Sequence, residues 1–247
     1  MGRKKSISAK KKPSAALITG GAVRLGRTLA LRLAAEGYDI ALHYNTSAKA
    51  AEKTKQDVEK CGVRCRLYKA DLAKSKQDLS LVAQAKKDFP ALNLLINSAS
   101  IFERSRLMET SEALFDRHMA INFKAPFFLT QAFAKHAKKG QVINILDTYV
   151  TKDTESYFAY LLSKKALFHF TRMAARELAP HIRVNAVAPG TTGQSKEVSG
   201  AYLKAKQQRL PMQQLVTFEE ITDAVLLLAG STLTGQCIFA DSGEQLV

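Results

Sequence analysis

Hydrophobic positions along the 247-residue chain fall into two alternating patterns. Short continuous apolar runs predict buried strands at 15–20 (AALITG), 39–45 (DIALHYN), 64–71, 92–98, 141–147, 182–188 and 236–241. Between them, longer stretches repeat apolar residues at helical spacing, as at 24–37, 47–62, 75–89 and 157–179. Buried strands alternating with amphipathic helices predict a doubly wound α/β fold, a parallel sheet of about seven strands with helices on both faces. Right-handed crossovers then bring the strand C-termini to one edge, where such folds bind ligands. The stretch at about 190–215 shows neither period and is expected as a loop on the substrate side. The chain thus divides into a basic flexible tail, 1–13, and one domain, 14–247.

The first strand runs into TGGAVRLG, residues 19–26, and then into a helix. Gly20, Gly21 and Gly26 suit a tight turn that aims backbone N–H groups and a helix N-terminus at an anion. The spacing is not G-x-G-x-x-G, but this is the first strand-to-helix turn of an alternating chain, the dinucleotide position of a Rossmann-type sheet. NAD sites place an acid at the end of the second strand to hold the ribose 2′-hydroxyl. Here that segment is HYNTS, 43–47, without an acid. A 2′-phosphate is therefore favoured, and with it NADPH (NADP+), with His43, Tyr44, Asn45 and Ser47 placed to meet it. Arg24, followed by Leu25, offers a planar fork of donors to that phosphate. Near a helix N-terminus its charge gains nothing from the macrodipole, which favours a ligand role.

Tyr160 and Lys164 stand at i and i+4 on a predicted helix and so share one face. An ammonium beside a phenol is expected to lower the phenol pKa and make Tyr160 a proton donor or acceptor near neutrality. Alone the pattern is common, and Tyr157 and Tyr160 also suit plain packing; beside a dinucleotide turn in the same domain it becomes specific.

Composition narrows the setting. Lys and Arg outnumber Asp and Glu by 37 to 22, and six of these cations lie in the first twelve residues, Arg3, Lys4, Lys5, Lys10, Lys11 and Lys12. A solvated tail accounts for that run, with nucleic-acid contact as the alternative. Cys61, Cys65 and Cys237 form no metal pattern with the five histidines, so no metal is expected and the thiols point to a cytoplasmic compartment. No apolar run approaches the ~18 residues of a membrane span.

With these pieces in place, the chain resembles the short-chain dehydrogenase/reductase family over 14–247. The resemblance rests on TGGAVRLG, Asp71-Leu72, NSAS at 97–100, INFKAP at 121–126, Tyr160/Lys164 and NAVAPG at 185–190, in the family's order and spacing. Three departures resemble the pteridine reductases and the short-chain type of dihydromonapterin and dihydrofolate reductases. Arg24 stands where the turn usually has glycine, Ser100 ends the strand-4 motif, and Asp147 replaces the catalytic serine.

The resemblance implies the following roles. Tyr160 donates a proton, Lys164 holds the nicotinamide ribose, Asp147 hydrogen-bonds Tyr160 or the pterin, and Asn122 positions a water that links Lys164 to solvent. Gly20 and Gly26 keep the turn. Asp71 and Leu72 meet the adenine, Asn97, Ser98 and Ala99 line the cofactor, and Pro189 and Gly190 line the nicotinamide. Arg24, Ser100, Phe102, Asp147 and Tyr160 form the substrate slot, with Phe102 stacking on a pterin. A homotetramer built partly on the helix of Tyr160 is implied as well.

The expected activity is NADPH-dependent reduction of a pterin, with dihydrofolate as a possible further substrate. The alternatives are a carbonyl reductase of the 3-oxoacyl thioester or sugar type, and a dinucleotide-binding regulator or a nucleic-acid binder tethered by its tail. An ionised Asp147 would repel a developing oxyanion, which argues against ketone reduction.

Overall fold

The computed structural model describes residues 14–193 and 199–247, with the backbone alone for 75–79. The basic tail and part of the 190–215 stretch lie outside them. In chain order the elements are β1 (Ala15–Ile18), α1 (Arg24–Ala35), β2 (Asp39–Tyr44), α2 (Ala48–Glu59), β3 (Cys65–Lys69), α3 (Ser75–Asp88) and β4 (Leu92–Asn97). There follow α4 (Glu112–Met119), a π-helical turn (Ala120–Lys124), α5 (Ala125–His136), β5 (Gly140–Ile145) and α6 (Phe158–Leu178). The chain closes with β6 (Ile182–Pro189), α7 (Gly200–Arg209), α8 (Phe218–Gly230) and β7 (Cys237–Ala240).

Among the described residues the strands form one seven-stranded sheet, ordered β3-β2-β1-β4-β5-β6-β7. Every pairing is parallel. The order reverses at β1, which lies between β2 and β4. In an open sheet that reversal leaves a crevice at the strand C-termini.

Alternation within the strands explains their continuous apolar character. Ala16 and Ile18 face one core with Leu29 and Leu33 of α1 and Val225 and Leu228 of α8. Ala15 and Leu17 face the other, with Val82 of α3 and Leu129 and Phe133 of α5. Both faces are covered, so neither set of positions needs polar residues. All seven predicted strands are present, with ends shifted by one or two residues.

The 190–215 stretch departs from the expected loop, because Gly200–Arg209 is helical. This helix buries none of its residues, so it carries no apolar stripe by which the sequence marks a helix.

Candidate active site

The crevice beside β1 is shaped by backbone that tolerates no side chain. A Cβ on Gly26 would lie 2.0 Å from the carbonyl oxygen of Gly20. Gly20 has φ +66° and would bring a Cβ within 3.0 Å of Ala99 Cα. Thr19 Oγ1 ties the turn to the end of β4 by accepting from the N–H groups of Ser98 and Ala99, each at 3.0 Å.

Arg24 sits in the left-handed region at φ +50°. A glycine occupies such a backbone without cost, so the arginine keeps a glycine conformation while adding a guanidinium. Its side chain is exposed at the mouth of the crevice and makes no hydrogen bond or ion pair among the described residues.

Both helices beside this turn begin without a side-chain cap. Val23 precedes α1 and Ser47 precedes α2, and neither side chain accepts from its helix. The first-turn N–H groups of α1 remain available to an anion, as do those of α2 beyond Ala48, whose N–H donates to the Thr46 carbonyl at 3.0 Å. A cavity of about 490 Å³ runs along this edge. It is lined by Gly20, Arg24, Leu25, Gly26, His43, Tyr44, Asn45, Ser47, Asp71, Leu72, Ser98, Ala99, Ser100, Phe102, Tyr160 and Lys164. Its walls bring together most of the residues expected for cofactor and substrate.

The His43 side chain is committed to the fold. Its Nδ1 accepts from Gly20 N at 3.1 Å, which leaves Nε2–H to donate to the Ala70 carbonyl at 3.1 Å. Burial lowers its pKa to about 4, so the ring is neutral and the acceptor role is preserved. Asn97 is also turned inward, donating to Asn144 Oδ1 at 2.8 Å between β4 and β5. Gly190 permits close packing, since a Cβ there would lie 2.7 Å from Asp241 Cα; it follows Pro189 at the end of β6.

Asn122 lies in the π-helical turn between α4 and α5. Such turns often mark functional positions in helices. Its Oδ1 accepts from Ile101 N at 2.9 Å and from Ser100 Oγ at 3.2 Å. Its Nδ2 donates to the Ile101 carbonyl at 3.0 Å and to Ser163 Oγ at 3.1 Å. The side chain therefore clamps the 100–101 segment onto α6.

Asp147, just beyond β5, receives two hydrogen bonds. Tyr149 N donates to Oδ1 at 2.8 Å, and the Tyr160 phenol donates to Oδ2 at 2.8 Å. Burial raises the Asp147 pKa above the ordinary carboxylate value, against the pull of these bonds and of Lys164. Lys164 is buried, and its pKa falls to about 8.

The expected effect of Lys164 on Tyr160 is overturned. Burial, with the Asp147 charge and hydrogen bond added, moves the Tyr160 pKa well above its ordinary value. The lysine does not reach the phenol oxygen in this arrangement. Its Nζ donates to the Ile145 carbonyl at 2.8 Å and lies 5.8 Å from the centre of the Tyr160 ring. Tyr160 is thus a neutral phenol holding its proton.

Phe102 faces this pair, with its ring centre 4.7 Å from that of Tyr160 at 85°. Its plane stacks on Tyr157 at 4.4 Å and 15°. Tyr157, named from the sequence only as a packing residue, precedes α6 with φ +61°, and its place behind Phe102 has no sequence signal. Ser100 Oγ donates to Asn122 at the same rim.

A family model described as enoyl-(acyl carrier protein) reductase matches residues 21–245. The FolM alternative dihydrofolate reductase 1 of Brucella suis, solved in complex with NADP, is 34% identical with a TM-score of 0.90, over 95% of this chain and 96% of that one. An uncharacterized oxidoreductase of Mycobacterium tuberculosis is 32% identical, over 92% of this chain and 90% of its own. The 3-oxoacyl-(acyl-carrier-protein) reductase FabG of Staphylococcus epidermidis is 28% identical, over 92% of this chain and 97% of its own. The fold, the glycine turn and these matches together make the chain a member of the short-chain dehydrogenase/reductase family of oxidoreductases.

Proposed function

We propose that this chain is an NADPH-dependent pterin reductase that takes a dihydropterin or pterin to its tetrahydro form, dihydrofolate included. The observation that carries this is the Tyr160–Asp147 hydrogen bond at 2.8 Å, set beside the exposed ring of Phe102.

NADP fits the crevice. Arg24, Ser47 and the two uncapped helix ends would hold its phosphates, and residues 43–47 offer no carboxylate to repel a 2′-phosphate. The Brucella relative was solved with the same cofactor. When bound, NADPH supplies a hydride. Lys164 would hold the nicotinamide ribose.

The chain's own residues supply the rest. Phe102, backed by Tyr157, offers a flat face to a planar heterocycle. Arg24 and Ser100 place polar groups at its rim. Reduction of a C=N bond requires a proton on nitrogen as the hydride reaches carbon. Tyr160 holds such a proton, and Asp147, whose Oδ2 accepts from the phenol, holds that phenol in place.

A second reading, a carbonyl reductase of the 3-oxoacyl thioester type, is favoured by the FabG relative. An ionised Asp147 opposes it, because a carboxylate repels the developing oxyanion. The two are separated by following NADPH oxidation with a dihydropterin, dihydrofolate and an acetoacetyl thioester, and by repeating each with NADH. Pterin turnover with NADPH preferred supports the proposal; thioester turnover alone overturns it.

We also propose a homotetramer that uses the face of α5 and α6. Phe127 and Leu162 are 36% and 48% exposed there, and Phe127 of α5, Phe170 of α6 and Phe123 of the π-helical turn cluster together. The three free cysteines support a reducing compartment such as the cytoplasm, and no helix among the described residues is long and apolar enough to cross a membrane.

A further inference from the structure

Behind Asp147, outside the lining of the cofactor crevice, lies an ion pair that the chemistry above does not use. Glu244 follows β7 in a short 3-10 helix and is 1% exposed. Its Oε2 accepts from Thr191 N at 2.7 Å, and its Oε1 accepts from Thr191 Oγ1 at 3.0 Å and Lys206 Nζ at 2.7 Å. Lys206, on α7, also donates to the Tyr149 phenol oxygen at 2.6 Å. Tyr149 in turn donates its backbone N–H to Asp147. The contacts form one run from the residue after Gly190, through α7, to the carboxylate that holds Tyr160.

α7 fully buries none of its own residues; its apolar hold is the half-buried Leu203 and, at its C-cap, the buried Leu210. Beside the pair is a cavity of about 450 Å³, lined in part by Tyr149, Tyr202, Lys206 and Arg209. A buried ion pair is a poor source of net stability, because desolvating both charges offsets their attraction. Holding elements in register is the use such pairs serve best.

We infer that Glu244 and Lys206 are positioning residues whose ion pair fastens α7 to the C-terminal segment and holds Tyr149, and with it Asp147, in register with Thr191. The effect on proton delivery rests on the role proposed for Asp147; the fastening of α7 and of Thr191 does not. The groups that face Asp147 are Tyr160, Lys164 and Glu244, and the Glu244 charge raises its pKa. Lys152 is the other cation at Glu244, donating to its backbone carbonyl.

The test compares the full-length protein with Glu244→Gln, Lys206→Met, the double variant and the conservative Lys206→Arg. Folding is checked by circular dichroism. Glu244→Gln removes a negative charge, so the pH midpoint that Asp147 sets for dihydropterin turnover moves down. Lys206→Met leaves the negative charge unopposed, so the midpoint moves up. The double variant returns towards wild type, and Lys206→Arg retains most activity. Shifts of one sign in both single variants, or no shift in folded protein, overturn the link to Asp147.

Two readouts need no turnover. NADPH affinity, followed by its fluorescence, falls several-fold in Glu244→Gln, where the Thr191 anchor is weakened. Trypsin cleavage after Arg209 accelerates several-fold in both single variants. Unchanged cleavage overturns the fastening of α7. A wild-type protein that ignores dihydropterin but shows these two effects overturns the pterin reading and leaves the fastening standing.

Discussion

The Tyr160 phenol donates to Asp147 Oδ2 at 2.8 Å, so the proton available to a substrate already lies between two side chains of this chain. Asp147 carries a cost for this. Its folded pKa is raised by burial, so the folded state binds the proton more tightly than the unfolded chain. That contribution is present at low pH and is lost as pH rises through the raised pKa. Asp147→Asn removes the titrating charge. At pH 7.5 its Tm is expected to rise, while pterin turnover falls roughly 100-fold. Thermal melts at pH 5 and 7.5 alongside steady-state rates check both, and the stabilisation is expected to shrink at the lower pH.

His43 gives the opposite pH dependence. Its pKa falls from 6.5 to about 4 on folding because the ring is buried. The unfolded chain then takes up the proton first as the solution is acidified. Stability is complete above about pH 6.5 and declines as pH falls towards 4, by roughly 3 kcal/mol in total. Denaturant unfolding measured across this window should show that slope, and His43→Gln should flatten it. A glutamine keeps an acceptor for the Gly20 N–H and a donor for the Ala70 carbonyl without a titrating ring.

Arg24 separates backbone from side chain. At φ +50° a non-glycine residue costs roughly 1–2 kcal/mol. Arg24→Gly is expected to stabilise the fold by about 1 kcal/mol and weaken NADPH binding about tenfold. Arg24→Ala should show the same loss of affinity without the gain in stability. NADH binding should change little in either. Fluorescence titrations with both cofactors, beside denaturant unfolding, distinguish the two contributions.

The exposed phenylalanine on α5 tests the assembly. Phe127→Glu places a charge where an apolar interface is proposed, and light scattering is expected to show a species smaller than a tetramer. An unchanged mass would move the interface elsewhere.

The sheet was legible because each strand buries both faces, so short apolar runs such as Leu92–Asn97 stand out against the amphipathic helices. The cofactor crevice was legible because Gly20 and Gly26 occupy positions where a Cβ collides with backbone. α7 was not, since a helix that buries nothing has no apolar period. The environment of Tyr160 was misjudged from i, i+4 spacing alone. Spacing places Lys164 on the same face but does not say that its ammonium turns to the Ile145 carbonyl while the phenol turns to Asp147. The Glu244–Lys206 pair joins segments distant in sequence, and neither residue belongs to a local motif.

Asp147 is where substrate class and mechanism meet, so the most direct measurement is the ratio of kcat/KM for a dihydropterin to that for an acetoacetyl thioester, with NADPH, in wild type and in Asp147→Ser. The expected result is a wild-type ratio well above one that collapses by roughly 100-fold or more in the variant, with the thioester rate unchanged or improved. A wild type that prefers the thioester, or a serine variant that keeps full pterin turnover, would contradict the role assigned to Asp147.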